Sequence, residues 1–464
     1  MKKYLIRSGI TPFQTFSPAE MIVNNSIGGN VGNLIYAYSV YRTLMTDENV
    51  EFVPDYYKIN PKDADYINET YDAYLIPLAD AFRKDFVPTL RRYTQLINKL
   101  KIPVYVIGVG LRTTFDPKPD DEFEFDEDVK AFVKAVLKRS PMIGVRGQIT
   151  ADYLTRLGFK DGVDHMAIGC PSMYTFGREL KIRETNITPE SMVAVNSSRL
   201  SPKNVLDFIT RSMDEFPNHY FIPQWLKELR LTYIGYPEIP KIENGNYPGK
   251  ITDPVYANNR VRYFLNVPTW LEFLQQADFA FGARLHGNIT STIAGTPSLM
   301  IPKDGRMREL TEYHHLTHVW AKDIDDNTNI WDLIEKVDFH EASKYQGENF
   351  DRYIDFLNLS KIDHIYKNGN EPTRIPLDEK LAGVDLQPPL EPITSCTIPE
   401  AVKRFETLSE LENKNAPKAK APSSGSAEKR RLEEKEKQIK HLQGTLNRKS
   451  VRTALKIANM FAKK

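Results

Sequence analysis

Along the first 180 residues, short apolar runs alternate with amphipathic stretches: "AEMIVNNS", "GNLIYAYSVYRTLM", "DAYLIPL", "FVPTLRRYTQLINKL" and "PVYVIGVGL" follow one another. Apolar runs without polar alternation suit strands covered on both faces, and the stretches between them repeat at helical spacing. The alternation continues through "EDVKAFVKAVLKRS", "MIGVRG", "QITADYLTRLGF" and "HMAIGCPS". It predicts an α/β fold in which a parallel sheet is wrapped by helices. "TFGRELKIRETNITPE" then loses the period, which sets a boundary near residue 180.

A second α/β unit opens on the strand "SMVAVNSS", followed by the helix "NVLDFITRSMDEF" and the strand "HYFIPQ". The expected organisation is two Rossmann-like domains, 1–180 and 181–371, and an extended segment, 372–412. "IGYPEIPKIENGNYPGKITDPVY" is an irregular insertion placed to touch a ligand. Residues 413–427, rich in Ala, Pro, Ser and Lys, are expected as a disordered linker. The tail, 428–464, is expected to be helical, with Leu432, Ile439 and Leu446 seven apart and then Val451, Leu455, Ala458 and Ala462 opposite lysine and arginine.

Composition alters this picture in two places. At 464 residues and 41% hydrophobic, the chain is large enough for more than one core. The net charge of +1 hides an asymmetry: from Lys414 onward there are 15 Lys/Arg against 4 Asp/Glu, a surplus of 11 that leaves residues 1–413 at −10. The two cysteines, Cys170 and Cys396, fit a reducing compartment, and the opening "MKKYLIRSG" has too short an apolar core for export. A cytoplasmic protein is therefore expected. The longest apolar run, "VYVIGVGL", is too short to cross a bilayer.

Candidate chemistry concentrates in "FGARLHGNITSTIAGTPSLMIP", residues 281–302. Arg284, Leu285 and His286 fall where a buried strand hands over to a helix, and Gly287 and Asn288 begin that helix. Strand ends are where α/β sheets bind ligands, and unpaired helix N–H groups favour anions there. The arrangement suits a small, multiply charged anion, and Gly287 and Asn288 are expected to bind it together with the triplet before them. An ion pair between domains for Arg284 and a capping role for His286 remain open alternatives.

This stretch, continued as "GARLHGNITSTIAGTPSLMIPKDGRMRELTEY", resembles the polysaccharide pyruvyl transferase family, as do "NNSIGGNVGNLIYAYSVYRTL" and "IGVRGQITADYLTRLGF" with "IGCPSMY". The resemblance implies a fold similar to the two-domain glycosyltransferase B architecture. It also implies an activity in which phosphoenolpyruvate, as co-substrate and without further cofactor, gives a pyruvate ketal on a sugar. The family's donor-site Arg-Leu-His triplet falls on Arg284, Leu285 and His286, and a further donor arginine falls on Arg199 in "VNSSR". His286 is the candidate acid, with Arg284 beside it, and an anionic donor would favour its protonated form. Because both side chains would line a pre-formed site, their loss is expected to leave folding nearly intact. Asp80 and Glu309, the latter next to Arg308, are candidate proton acceptors; Asn30, Gly32 and Asn33 are expected to form the cleft wall from the first domain, facing the acceptor or the phosphate.

"HHLTH" supplies His314, His315 and His318, but no carboxylate or cysteine completes a set at metal-ligand spacing, so no metal is expected. The partners expected are phosphoenolpyruvate, a glycan or lipid-linked saccharide acceptor, an anionic membrane surface met by the tail and a second copy of the chain; nucleic acid is not expected. A glycosyltransferase using a sugar nucleotide is the alternative function.

Overall fold

The computed structural model describes residues 2–118, 120–242, 245–367 and 371–415, with Lys437 and Lys440. Its first sheet begins earlier than the apolar pattern indicates. β1 (Lys2–Ile6) pairs in parallel with β2 (Val50–Pro54) and β3 (Ala73–Pro77), and β4 (Val104–Ile107) follows β3. Beyond β4, Gly108 N donates to Gly144 O at 2.8 Å and Arg146 N to Val109 O at 3.0 Å. These bonds carry the sheet on to β5 (Ile143–Val145) and its parallel partner β6 (His165–Ala167).

"AEMIVNNS", expected as the opening strand, lies instead in the helix Pro18–Asn24. The Ser17 hydroxyl accepts from Glu20 N while the Glu20 carboxylate accepts from Ser17 N, a capping box with proline in the first turn. The strand role falls to "KKYLI", whose three apolar residues suffice because it is paired on both edges.

The second sheet runs β10-β9-β7-β8, all parallel, with β7 at Val193–Asn196, β8 at His219–Phe221, β9 at Phe279–Gly282 and β10 at Ser298–Met300. β3, β7 and β9 are buried at every residue, as strands between two helical layers must be. The fold is thus α/β with two Rossmann-like halves. The helix Gly32–Leu44 joins them. It is buried on nearly all sides because it touches β3 of the first half and the helices Val267–Gln276 and Leu285–Ile293 of the second.

After the second sheet the chain returns to the first half, which the division at 181–371 did not foresee. The helix Glu341–Leu359 places Phe356 against Gly144 of β5, stacks Tyr353 on Tyr174 at 5.0 Å and donates from Gln346 Nε2 to Met173 O at 2.9 Å. Its apolar face covers core of the first half. The segment 372–412, expected to be extended, holds the helices Pro376–Leu381 and Ile398–Asn415. Pro376 and Pro399 fall in first turns, where a missing N–H costs nothing, so proline did not forbid them. The rest of the expected linker and tail lies outside the described residues, save Lys437 and Lys440. Among the described residues no helix is long and apolar enough to cross a membrane.

Candidate active site

Loops at the C-terminal ends of both sheets open onto one cleft of about 610 Å³. Its central feature is the turn from β9 into the helix Leu285–Ile293. β9 pairs with β7 so closely that a Cβ on Gly282 would meet Asn196 O at 1.8 Å. Asn196 Oδ1 accepts from Arg284 N at 2.7 Å, and Asn288 Nδ2 donates to Arg284 O at 2.7 Å and Gly282 O at 3.0 Å. Asn288, expected to bind donor, instead fixes the turn. Gly287 serves packing, since a Cβ there would press on Gln224 and Asn196.

The turn delivers Arg284 to the cleft wall with its guanidinium locked. Nε donates to Ser197 O at 2.7 Å, Nη2 stands 3.4 Å from both carboxylate oxygens of Glu228, and Cζ lies 4.2 Å from the centre of the Trp225 ring. Glu228 is wholly buried and accepts from Gln224 N and Trp225 N, each at 2.7 Å, and from the Tyr247 hydroxyl of the irregular insertion. Burial raises the Glu228 carboxyl and lowers the Arg284 guanidinium, and their mutual attraction opposes both shifts. Arg284 is therefore ion-paired and cleft-lining at once, with a partner in its own half.

His286 reaches across to the first half. Its ring is 6.0 Å from that of Tyr36, and Nε2 is 3.8 Å from Cys170 Sγ. A Cβ on Gly32 would meet the imidazole at 2.8 Å, so only glycine lets the first loop approach this closely. That loop is stitched to the second half by backbone bonds, Val31 N to Gln224 O at 2.8 Å and Leu226 N to Gly29 O at 3.0 Å. Asn30 Oδ1 accepts from Gly32 N and Asn33 Nδ2 donates to Ile27 O, so both side chains shape the loop that borders the cleft. The imidazole is neutral here. Burial, then Arg146 and Arg306, hold it down at about 3 against the pull of Asp80.

Asp80 lies in the cleft with Oδ2 at 3.1 Å from Arg83 Nη1 and 3.3 Å from Arg306 Nη1. Burial pushes its carboxyl up, but Arg306, Arg83, Arg146 and Arg112 outweigh it and hold the group at about 2, which makes a weak base. Glu309 is elsewhere: its carboxylate accepts from Thr150 N at 2.6 Å and Thr150 Oγ1 at 3.0 Å, capping the helix Gln148–Arg156, and burial raises it to about 7. Arg308 is paired with Asp116 and Glu312 outside the cleft. Arg199 stands at the rim, over Trp225 at 5.6 Å, with Nη1 donating to Pro240 O.

The cleft groups that the sequence reading did not single out include Arg146, in "GVRG" after β5, Trp225, and Lys303 after β10, and Arg306, two residues before the chosen Arg308, lines the cleft as well. Lys303 Nζ donates to Ser201 Oγ at 2.8 Å, and burial, with Arg284, Arg306 and Arg112 adding to it against Asp304, lowers the amine to about 7. Between pH 7 and 10.5 the unfolded chain binds a proton that the folded protein does not, so stability rises with pH across that window. Lys303→Met is expected to melt above wild type at pH 6, with the gap narrowing as pH rises from 7 towards 10; a lower melting point at pH 6 would show the amine to be held charged.

The three histidines of "HHLTH" diverge. His314 Nε2 accepts from Cys170 N at 2.7 Å inside the core, His315 ends the helix Gly305–His314 and stacks on Tyr345, and His318 bonds Leu316 O. Among the described residues no three His, Cys, Asp or Glu side chains converge as a metal ion would need.

A family model described as polysaccharide pyruvyl transferase matches residues 30–304. No curated protein matches the chain. Among solved structures, the UDP-GlcNAc 2-epimerase of Methanocaldococcus jannaschii, in complex with UDP-GlcNAc and UDP, is 13% identical over 77% of this chain and 99% of its own, with a TM-score of 0.43. That of Neisseria meningitidis, bound to UDP-GlcNAc, is 11% identical over 82% and 100%, with a TM-score of 0.36.

Proposed function

Because the chain belongs to the polysaccharide pyruvyl transferase family, we propose that its donor is phosphoenolpyruvate and that it builds a pyruvate ketal on a saccharide. The observation that carries this reading is the charge of the cleft. Arg7, Arg83, Arg112, Arg146, Arg284, Lys303 and Arg306 border it, against Asp80 and Asp304. A donor with both a carboxylate and a phosphate matches that surplus, and guanidinium forks bind both groups.

Ketal formation adds one sugar hydroxyl to C2 of the donor while an acid gives a proton to C3, turning the methylene into a methyl, and the proton that this hydroxyl loses passes to the conjugate base so formed. A second hydroxyl then attacks C2, phosphate leaves with the C2–O bond, and the last proton is released to it or to solvent. His286 is the acid in this reading. The donor's negative charge, entering beside Arg146 and Arg306, offsets the two cations that keep the imidazole neutral, so binding would itself arm the acid. Asp80, locked by arginines, orients them instead of taking the hydroxyl proton.

The acceptor proposed is a glycan or lipid-linked saccharide. The basic tail as an anchor to anionic membrane, and self-association through its heptads, rest on the sequence alone. Thermal unfolding of the full chain tests the donor: phosphoenolpyruvate at 100 times its Kd should add about 2.7 kcal/mol of stability, and phosphate release should require a saccharide acceptor. Stabilisation by a nucleoside-diphosphate sugar with none by phosphoenolpyruvate would replace this reading with glycosyl transfer.

A further inference from the structure

Resting on His286 as the acid of that reading, we propose that Cys170 is its positioning residue: the sulfur accepts the Nε2–H of the imidazole and leaves Nδ1 as the nitrogen that exchanges protons with the cleft. Nε2 stands 3.8 Å from Cys170 Sγ, within reach of a hydrogen bond to sulfur. Cys170 is 0% exposed and does not border the cleft, whereas His286 does. Burial pushes the thiol up against the pull of Arg146, so the group keeps its proton. A neutral thiol out of reach of substrate acts on the imidazole and not as a nucleophile. The other ring nitrogen looks towards the first loop. A Cβ on Gly32 would meet Nδ1 at 2.8 Å, and Nδ1 has no hydrogen-bond partner among the described residues.

The sulfur is itself held from behind. Cys170 N donates to His314 Nε2 at 2.7 Å, and a Cβ on Gly169 would meet that same nitrogen at 2.4 Å, so glycine lets the His314 ring close on the turn after β6. Pro171 then opens a short turn to Tyr174, whose ring is 5.6 Å from that of His314. His314 thus fixes the backbone that aims Cys170 at His286. Which nitrogen of a histidine carries the proton is set by what the other nitrogen meets. Nε2 is shut against a buried sulfur, so a proton gained or lost there has no path to the donor. With Nε2–H kept on sulfur, Nδ1 takes a proton from solvent as the donor binds, gives it to C3, and takes back the one that the sugar hydroxyl loses. Without the sulfur, the ring is free to turn and to hold its proton on Nδ1, where none can then be taken up.

Nitrogen NMR on the full chain, labelled at its histidines, reads the ring directly, the His286 signals being those missing from His286→Gln. In wild type without ligand at neutral pH, Nε2 should be the protonated nitrogen and Nδ1 the bare one. Saturating phosphoenolpyruvate should move Nδ1 to the protonated position and leave Nε2 where it is. In Cys170→Ala the two ligand-free shifts should move towards each other as the two ring forms mix, a change that a merely structural role for the thiol would not produce. A wild-type ring with its proton on Nδ1, or a Cys170→Ala ring identical to wild type, overturns the assignment; if the alanine variant does not fold, the wild-type spectrum decides it. A wild-type spectrum that phosphoenolpyruvate leaves unmoved fails the donor reading, while the ligand-free ring still tests Cys170.

Discussion

Arg284→Ala is expected to lower the free energy of unfolding by about 3–5 kcal/mol as well as to abolish transfer, because it strands a buried carboxylate. The expectation of intact folding treated Arg284 as a cleft side chain alone. Its other face meets Glu228, which is wholly buried. Without the guanidinium, Glu228 keeps Gln224 N, Trp225 N and the Tyr247 hydroxyl, but loses the cation that most opposes the effect of burial. Its folded-state pKa, already raised, rises further above the unfolded value. The folded variant then holds a proton that the unfolded chain releases, so the deficit is smallest in acid and grows as pH rises past about 4.5. Urea unfolding at pH 4.5 and pH 8 measures the trend. Adding Glu228→Gln should restore most of the stability at pH 8 while activity stays absent, which separates the structural role of the arginine from its contact with donor. Wild-type stability in Arg284→Ala at pH 8 would mean that the buried pair does not hold this wall of the cleft.

The strands that carry the site were legible because they are apolar throughout: "AYLIP", "VAVN" and "FAFG" admit little besides a doubly covered parallel strand. β1 was not, since "KKYLI" shows only three apolar residues and owes its strand to partners on both edges. The opposite error at "SPAEMIVNN" was avoidable. Ser17 and Glu20 three apart, with proline between, spell a helix start that outranks a short apolar run. At the site, Arg284 and His286 stood out because strand, cation, imidazole and helix follow one another in sequence. Arg146 follows β5 while Lys303 and Arg306 follow β10, so the first meets the other two only when the loops of the two halves converge. A lone arginine closing the apolar run "MIGV" was the available signal for Arg146, because a charge at a buried strand end needs a partner. Glu228 offered none, as "WLKELRL" reads as an ordinary amphipathic turn.

His286→Gln is expected to lower kcat about 1,000-fold, the middle of the range for losing a positioned acid, with unfolding close to wild type. The imidazole has no strong partner whose loss would strand a charge; its contacts are the Cys170 thiol at 3.8 Å and the Tyr36 ring at 6.0 Å. The sharper evidence lies in pH. In the free protein His286 titrates at about 3, so kcat/KM, which reports free enzyme, should show no limb from this group between pH 5 and 8. In the donor complex the ligand's charge counters Arg146 and Arg306, the two cations that act on the ring after burial, and the pKa must rise. Turnover then needs the protonated ring, so kcat should fall as pH climbs through the bound-state value, and this falling limb should be missing from His286→Gln. A kcat profile that keeps the same limb in the variant would assign the proton to another group of the cleft, and Lys303, already lowered to about 7, is the one whose charge changes in that window.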